Sequence, residues 1–479
     1  MVSSYTALVA LFAAIGSFLF GFDNGIVTTT ISHESWIEYM DDPSDGLTGA
    51  VVSLYVAGEA IGAVVQIVCG DMLGRLRFMQ LLCGIVTIGT VIQTAAVNIG
   101  MFLAGRLIAG VAVGGLVSTI PIYLIEISTP GQRGLIGGLS GCGIAFGTMI
   151  SNWVGFACAY APYGVAQWRI PLALQIPWGI ILFVGLVTFM PDSPRQLLRY
   201  GKSEQARLAF KKVHRNVDSE ETENEFRIMR NQIQYEMDRD LKSYREIFSL
   251  YGRRVAVSVS IQVMSSLTGV NVIQYYQTTL YNSLGATSHL KLALSGVYGT
   301  ICFICNVFMI LFLLDQWGRR KVLILGMAAV CAVDIYAAVM ERIFKNSSND
   351  VGKGFSIAAI YLFGTVYYLF LGSTVWLYAA EVLPLHLRSR INGLASAAHF
   401  VINIAITEAA PTAFANIGEN YYYVFVACMF LSVIIAYFYF PETRMRSLED
   451  IAAAFGDEGP KGDDGYERKD DVVLEEIEG

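Results

Sequence analysis

The chain has 479 residues, 54% of them hydrophobic and only 15% charged, with a formal net charge of −7. A soluble domain carries about 25% charged residues, so the composition points away from a soluble protein and towards a polytopic membrane protein. It leaves no basic surface for nucleic acid.

A bilayer core of about 30 Å needs roughly 20 apolar residues per helix, and twelve such runs follow one another. The first, 7–31, contains GSFLFGFDNGIV (Gly16–Val27) and one carboxylate, Asp23. A charge at bilayer depth costs about 2.5–3.5 kcal/mol on insertion scales, so Asp23 is a candidate proton or substrate site. The second run, 47–69, holds Glu59, read as a structural hydrogen-bonding group, with a second proton carrier or a substrate contact as the alternative. Runs at 78–98, 101–125, 134–160 and 168–190 complete the first half. Their glycines (Gly110, Gly114, Gly115, Gly137, Gly138, Gly141 and Gly143) are read as sites of close helix packing rather than a phosphate loop. The polar stretch 191–253 follows, with helical spacing of Ala206, Phe210 and Val213 predicting a surface helix over 203–213. The second half has runs at 254–284, 291–314, 320–343, 355–383, 389–415 and 421–441. Asp334 and Glu408 are read there as structural. The acidic residues 442–479 form a tail, expected to be mostly disordered. The expected organisation is thus a bundle over 1–190, a helical linker over 191–253, a second bundle over 254–441 and the tail. All eight cysteines lie in apolar runs, where they act as small hydrophobes. The N-terminus reads as a retained helix, not a signal peptide. No nucleophile–base pair or metal-ligand cluster emerges, so no catalysis, cofactor or metal is expected.

Lys and Arg set the orientation. Arg75, Arg77, Arg133, the basic linker, Arg319, Arg320, Lys321, Arg388, Arg390, Arg444 and Arg446 fall on one side. The opposite loops carry only Lys291, Arg342, Lys345 and Lys353. Both termini and the linker are therefore expected to be cytoplasmic, in a plasma-membrane protein. Asn346, in the sequon Asn346-Ser347-Ser348, is then an external glycosylation candidate.

The halves repeat. Leu73-Gly74-Arg75-Leu76-Arg77 matches Trp317-Gly318-Arg319-Arg320-Lys321, and Tyr123…Glu126…Arg133 matches Tyr378…Glu381…Arg388. Pro191-Asp192-Ser193-Pro194-Arg195 answers Pro441-Glu442-Thr443-Arg444. A parallel six-plus-six repeat implies two bundles about a midplane cavity. On these motifs, with Gly21-Phe22-Asp23-x-Gly25, Gly105-Arg106-x-x-x-Gly110 and Pro121-x-Tyr123-x-x-Glu126, the chain resembles the sugar porters of the major facilitator superfamily, and fungal members most.

The resemblance implies an all-α membrane protein of twelve helices that moves a sugar or sugar-like solute by alternating access. Asp23 with Arg106 would be the proton-linked site of a symporter. Arg75, Glu126, Arg133, Arg319, Arg320, Glu381 and Arg388 would form a cytoplasmic gate that latches the bundles. The sugar site would include Asn271, Tyr275, Trp376, His399 and Asn403, with Phe20 and Thr148 beside them. Glutamines typical of the family are replaced here by Gly141, Ser265 and Ser266, which removes hydrogen-bonding groups from a hexose pocket and predicts a roomier cavity. That cavity would suit a disaccharide or bulky glycoside, while His399 would suit a sugar acid. Ser373 and Val375 replace prolines, so the tenth helix is expected to bend less. A facilitative uniporter and a non-transporting nutrient sensor are the alternatives.

Overall fold

The computed structural model describes residues 3–129, 132–213, 220–238, 244–345, 347–444 and 455. Asn346 and the tail beyond 455 lie outside the described residues. Among those described, twelve helical spans are long and apolar enough to cross a membrane. They are labelled α1 (Ser4–Thr30), α2 (Gly46–Met72), α3 (Arg75–Thr94), α4 (Ile99–Ile127), α5 (Arg133–Cys158), α6 (Ala166–Thr188), α7 (Arg245–Ser283), α8 (His289–Trp317), α9 (Arg319–Phe344), α10 (Asp350–Glu381), α11 (Leu387–Asn416) and α12 (Gly418–Tyr439).

Several spans are interrupted where polar groups are needed. α6 breaks at Leu174-Gln175, between helical pieces Ala166–Ala173 and Ile176–Thr188. Pro177 has no N–H to return to the turn before it, which frees the backbone there. α7 breaks between Ser266 and Val270 at Gly269, whose φ is +81°, a left-handed conformation. Non-helical backbone at membrane depth is tolerated only where protein or a cavity surrounds it, so these breaks mark the interior. α10 is also interrupted, by a π turn at Tyr367–Leu371 ahead of the helix Thr374–Glu381. A π turn adds one residue to a helical turn, so the tenth helix is irregular here although it lacks the prolines.

Spans α1–α6 pack as one bundle, chiefly α1 on α5 and α2 on α4, and α7–α12 as a second, with α7 on α11 and α9 on α12. The surface helix Ser203–Val213 forms as predicted, joined by Pro194–Arg199 and Glu220–Asp238. Their small core, Leu197, Leu198, Phe210, Phe226 and Ile233, packs on the face that also holds the N-terminus. There the Thr6 hydroxyl donates to the Val213 carbonyl at 2.7 Å.

The bundles meet on both sides of the midplane. On the N-terminal face, Gln66 Nε2 and Arg75 Nη1 donate to Ser389 Oγ at 3.0 and 3.3 Å. Deeper in, Asn392 Nδ2 donates to the Ser118 carbonyl at 2.8 Å. On the opposite face, Ser32 Oγ reaches Thr278 Oγ1 at 3.0 Å, Thr28 Oγ1 the Gln274 carbonyl at 3.2 Å, and Asn152 Nδ2 the Ser295 carbonyl at 3.0 Å. The molecule is closed at both ends.

Candidate functional site

Asp23 and Arg106 form a fully buried ion pair between α1 and α4 through Oδ2 and Nη1. The break in α6 aims Gln175 at the same carboxylate, and its Nε2 donates to Asp23 Oδ1 at 2.7 Å. Arg106 Nε donates to the Val51 carbonyl at 3.1 Å, and its guanidinium lies 3.9 Å above the Tyr55 ring. Both carboxylate oxygens thus accept from donors, and the cation has an aromatic face, an acid and a carbonyl. Such a pair can be kept away from water. Removing one partner alone costs about 3–5 kcal/mol.

The predicted sugar residues are partly brought together. Phe20 and Trp376 meet edge-on at 6.4 Å across the bundle interface, and Trp376 lies 5.4 Å from the His399 ring. His399 Nδ1 sits 2.9 Å from the Gln262 carbonyl, so it donates there and leaves Nε2 as the free ring nitrogen. Tyr275 donates to Asn24 Oδ1 at 3.1 Å, joining α7 to α1. The side chains of Gln262, Ser266 and Asn403 and the Nδ2 groups of Asn24 and Asn271 are buried with no hydrogen bond of normal geometry among the described residues. Leaving such groups unpaired costs about 1–3 kcal/mol each, so they are the donors and acceptors that a polyhydroxylated solute can take up.

Two predicted residues are otherwise engaged. Thr148 Oγ1 spends its hydroxyl on the Gly21 and Ile144 carbonyls at 3.2 and 3.1 Å, and Ser265 Oγ pairs with the Tyr367 hydroxyl at 3.0 Å. At Gly141 the roomier cavity does not materialise. A Cβ there would lie 2.5 Å from Ser373 Cα and 2.7 Å from the Gly372 carbonyl. Ser373 Oγ also donates to the Gly138 carbonyl at 2.8 Å and lies 2.9 Å from Asn306 Oδ1. The missing glutamine is replaced by backbone from the other bundle rather than by space. Gln175, Gln262, Asn24 and Tyr55 were not singled out from sequence. Only Gln175 left a signal, as an amide between two prolines in an apolar run.

The predicted gate residues gather on the N-terminal face. Arg75 Nη1 meets Asp71 Oδ1 at 2.8 Å and its Nη2 meets Glu126 Oε1 at 3.2 Å. Arg319 grips Glu381 with Nε and Nη2, both at 3.3 Å, and Asp315 with Nη1 at 2.9 Å. The repeat extends to details: the Tyr123 hydroxyl donates to the Pro191 carbonyl and the Tyr378 hydroxyl to the Pro441 carbonyl, each at 2.8 Å. These Arg–Glu pairs join helices within a bundle, and the described hydrogen bond between bundles at Arg75 runs to Ser389. Arg388 donates to the Ala380 and Leu383 carbonyls at 3.1 and 2.9 Å. Arg133, buried, opens α5, where Gly134 packs against the Asp315 carboxylate of the other bundle. Arg320 turns away, to the Tyr437 carbonyl at 2.5 Å.

Twelve spans in two bundles around a buried polar seam define a polytopic membrane transporter of the major facilitator architecture. A family described as "Sugar (and other) transporter" matches residues 9–455, and the chain belongs to it. It is similar to the MFS-type transporter criB of Aspergillus cristatus, 34% identical over 454 residues covering 93% of this chain and 92% of that protein. It is also 29% identical to the sugar transporter STL1 of Saccharomyces cerevisiae, over 93% of this chain and 80% of that one. The high-affinity glucose transporter of Kluyveromyces lactis is 29% identical too, over 95% of this chain and 85% of its own. Among solved structures, the proton:xylose symporter XylE bound to 6-bromo-6-deoxy-D-glucose superposes with a TM-score of 0.85 at 20% identity, over 95% of this chain and all of that one. An inward-open form of XylE from E. coli gives 0.71 at 19% identity, over 94% of this chain and 99% of that one. The protein is a membrane transporter of this family rather than an enzyme.

Proposed function

We propose that the protein moves a sugar or sugar-like solute across the plasma membrane by alternating access, with entry coupled to protons at Asp23. The observation that carries the coupling is the buried Asp23–Arg106 pair, whose carboxylate can exchange its cation for a proton only when the pair separates. Relatives named as glucose and sugar transporters, and a fold match named as a proton:xylose symporter, support the reading. Both termini and the basic linker are taken as cytoplasmic from the Lys and Arg distribution. The gate residues around Arg75 and Arg319 then close the cytoplasmic end.

On substrate, Gly141, Ser265 and Ser266 remove amides that a hexose would use, and Gly141 adds no room in exchange. The unpaired side chains of Gln262, Ser266 and Asn403, beside Trp376 and His399, remain for sugar hydroxyls.

A panel of labelled monosaccharides, disaccharides and sugar acids in a transport-deficient host tests the substrate class. We expect accumulation of at least one member, its collapse with a protonophore, and equilibration without accumulation in Asp23→Asn. Accumulation that survives in Asp23→Asn would refute the coupling. Uptake insensitive to the protonophore in the unaltered protein would instead show uniport. High-affinity glucose uptake would overturn the view that the lost amides weaken a hexose site.

A further inference from the structure

The Asp23–Arg106 centre has a third ionisable member. Glu59, on α2, is fully buried, and neither carboxyl oxygen has a hydrogen bond of normal geometry among the described residues. Gly114 of α4 packs directly on its backbone, which fixes α2 against the helix that carries Arg106. The charges that reach Glu59 from neighbouring helices are Asp23 of α1 and Arg106 of α4. The phenols are Tyr55, one turn earlier on its own helix and under the Arg106 guanidinium, and Tyr275 of α7. Arg106 Nη2 is itself buried and has no acceptor among the described residues.

We propose that Glu59 is the second carboxylate of the coupling centre and that Asp23 and Glu59 share one proton, with Arg106 as the cation either can take. This deepens the symport reading above and rests on it. Asp23 holds Arg106 directly and the charges of both reach Glu59, so the three groups together are neutral only when one acid is protonated. An ionised carboxylate lacking donors at membrane depth is expensive, and in the closed state the proton belongs to Glu59. In the exchange step, the Glu59 O–H bond breaks and an O–H bond forms on Asp23. Arg106 moves from Nη1 on Asp23 to Nη2 on the Glu59 carboxylate. No net charge enters or leaves, and the guanidinium is never left bare while Asp23 takes its proton. A merely structural Glu59 has no such exchange.

The test uses the full-length protein in lipid nanodiscs, with infrared spectroscopy of the carboxylic acid carbonyl band at neutral pH, so no substrate is needed. Buried Asp334 has an unpaired carboxyl of its own, so the spectra are taken on an Asp334→Asn background, where we expect a buried-acid band that is lost in Glu59→Gln and shifted in Glu59→Asp. In Asp23→Asn it should fall several-fold, because Arg106 then has only Glu59 to pair with. Absence of the band, its indifference to Glu59→Gln, or its full persistence in Asp23→Asn overturns the proposal. Should Glu59→Gln fail to fold, an unshifted band in Glu59→Asp overturns it equally. Failure of the symport reading is seen separately, as sugar uptake without proton entry in cells, and leaves the infrared result unchanged.

Discussion

Arg106 meets the Asp23 carboxylate, the Val51 carbonyl and the Tyr55 ring in a site with no exposure to solvent. At this depth the shape of the replacement matters as much as its charge. Asp23→Asn loses the charge but keeps one oxygen that can accept from Arg106, whereas Asp23→Ala removes the acceptors of both Arg106 and Gln175. We expect Asp23→Ala to lose about 3–5 kcal/mol of stability and Asp23→Asn clearly less, read as the difference in melting temperature of the purified proteins. Gly141 teaches the same lesson in reverse. From its sequence context a small residue predicts space, but across the interface Gly372 and Ser373 already occupy it. Residue type was legible in the chain; what stood opposite was not.

Breaks in helices, rather than helices themselves, build the site. At Gly269 the left-handed turn lets α7 present Ser266 and Asn271 on either side of a gap, and a Cβ there would lie 2.9 Å from Phe425 Cδ2. Gly269→Ala should cost about 1–3 kcal/mol from backbone strain, seen as reduced thermal stability. A second effect belongs to the short helix Glu34–Tyr39 between α1 and α2. His33 caps it, and burial, then Lys291 and His289 of the facing bundle, hold its imidazole down at about 4 from the ordinary 6.5. A histidine so depressed binds fewer protons folded than unfolded, so stability falls as pH drops from about 6.5 towards 4. Acid therefore loosens the contact on the face opposite the N-terminus. His33→Gln should flatten that limb of the melting temperature against pH, and an unchanged limb would count against it.

For the whole molecule, the decisive contacts are those that tie one bundle to the other, chiefly α2 on α11 and α5 on α8. Ser389 accepts from both Gln66 and Arg75, the described side-chain bonds between α11 and the α2–α3 corner. Ser389→Ala leaves each Arg–Glu pair intact within its bundle. It should shift the balance towards opening of the N-terminal face by about 1–2 kcal/mol, a change of roughly five- to thirtyfold. Accessibility of a cysteine introduced on that face measures it, and unchanged labelling would show that Ser389 does not hold the closure.

The twelve spans and their pairing into two halves were readable from the chain because each rests on hydrophobic run length, charge placement or a repeated motif, while the partnership of Asp23 with Arg106 followed from the family resemblance. The surface helix at 203–213 was legible for the same reason, its apolar spacing being local. The π turn of α10, the role of Gln175, the filled space at Gly141 and the burial of an unpaired Glu59 were not. Each depends on which atoms of distant helices arrive at one place, and a pattern along one strand of sequence carries no record of that approach. Sequence by itself determined a twelve-span sugar-porter chain with a costly carboxylate in its first helix. Tertiary packing alone decided what surrounds that carboxylate, because the burial that makes a charge expensive and the donors that compensate it come from other helices.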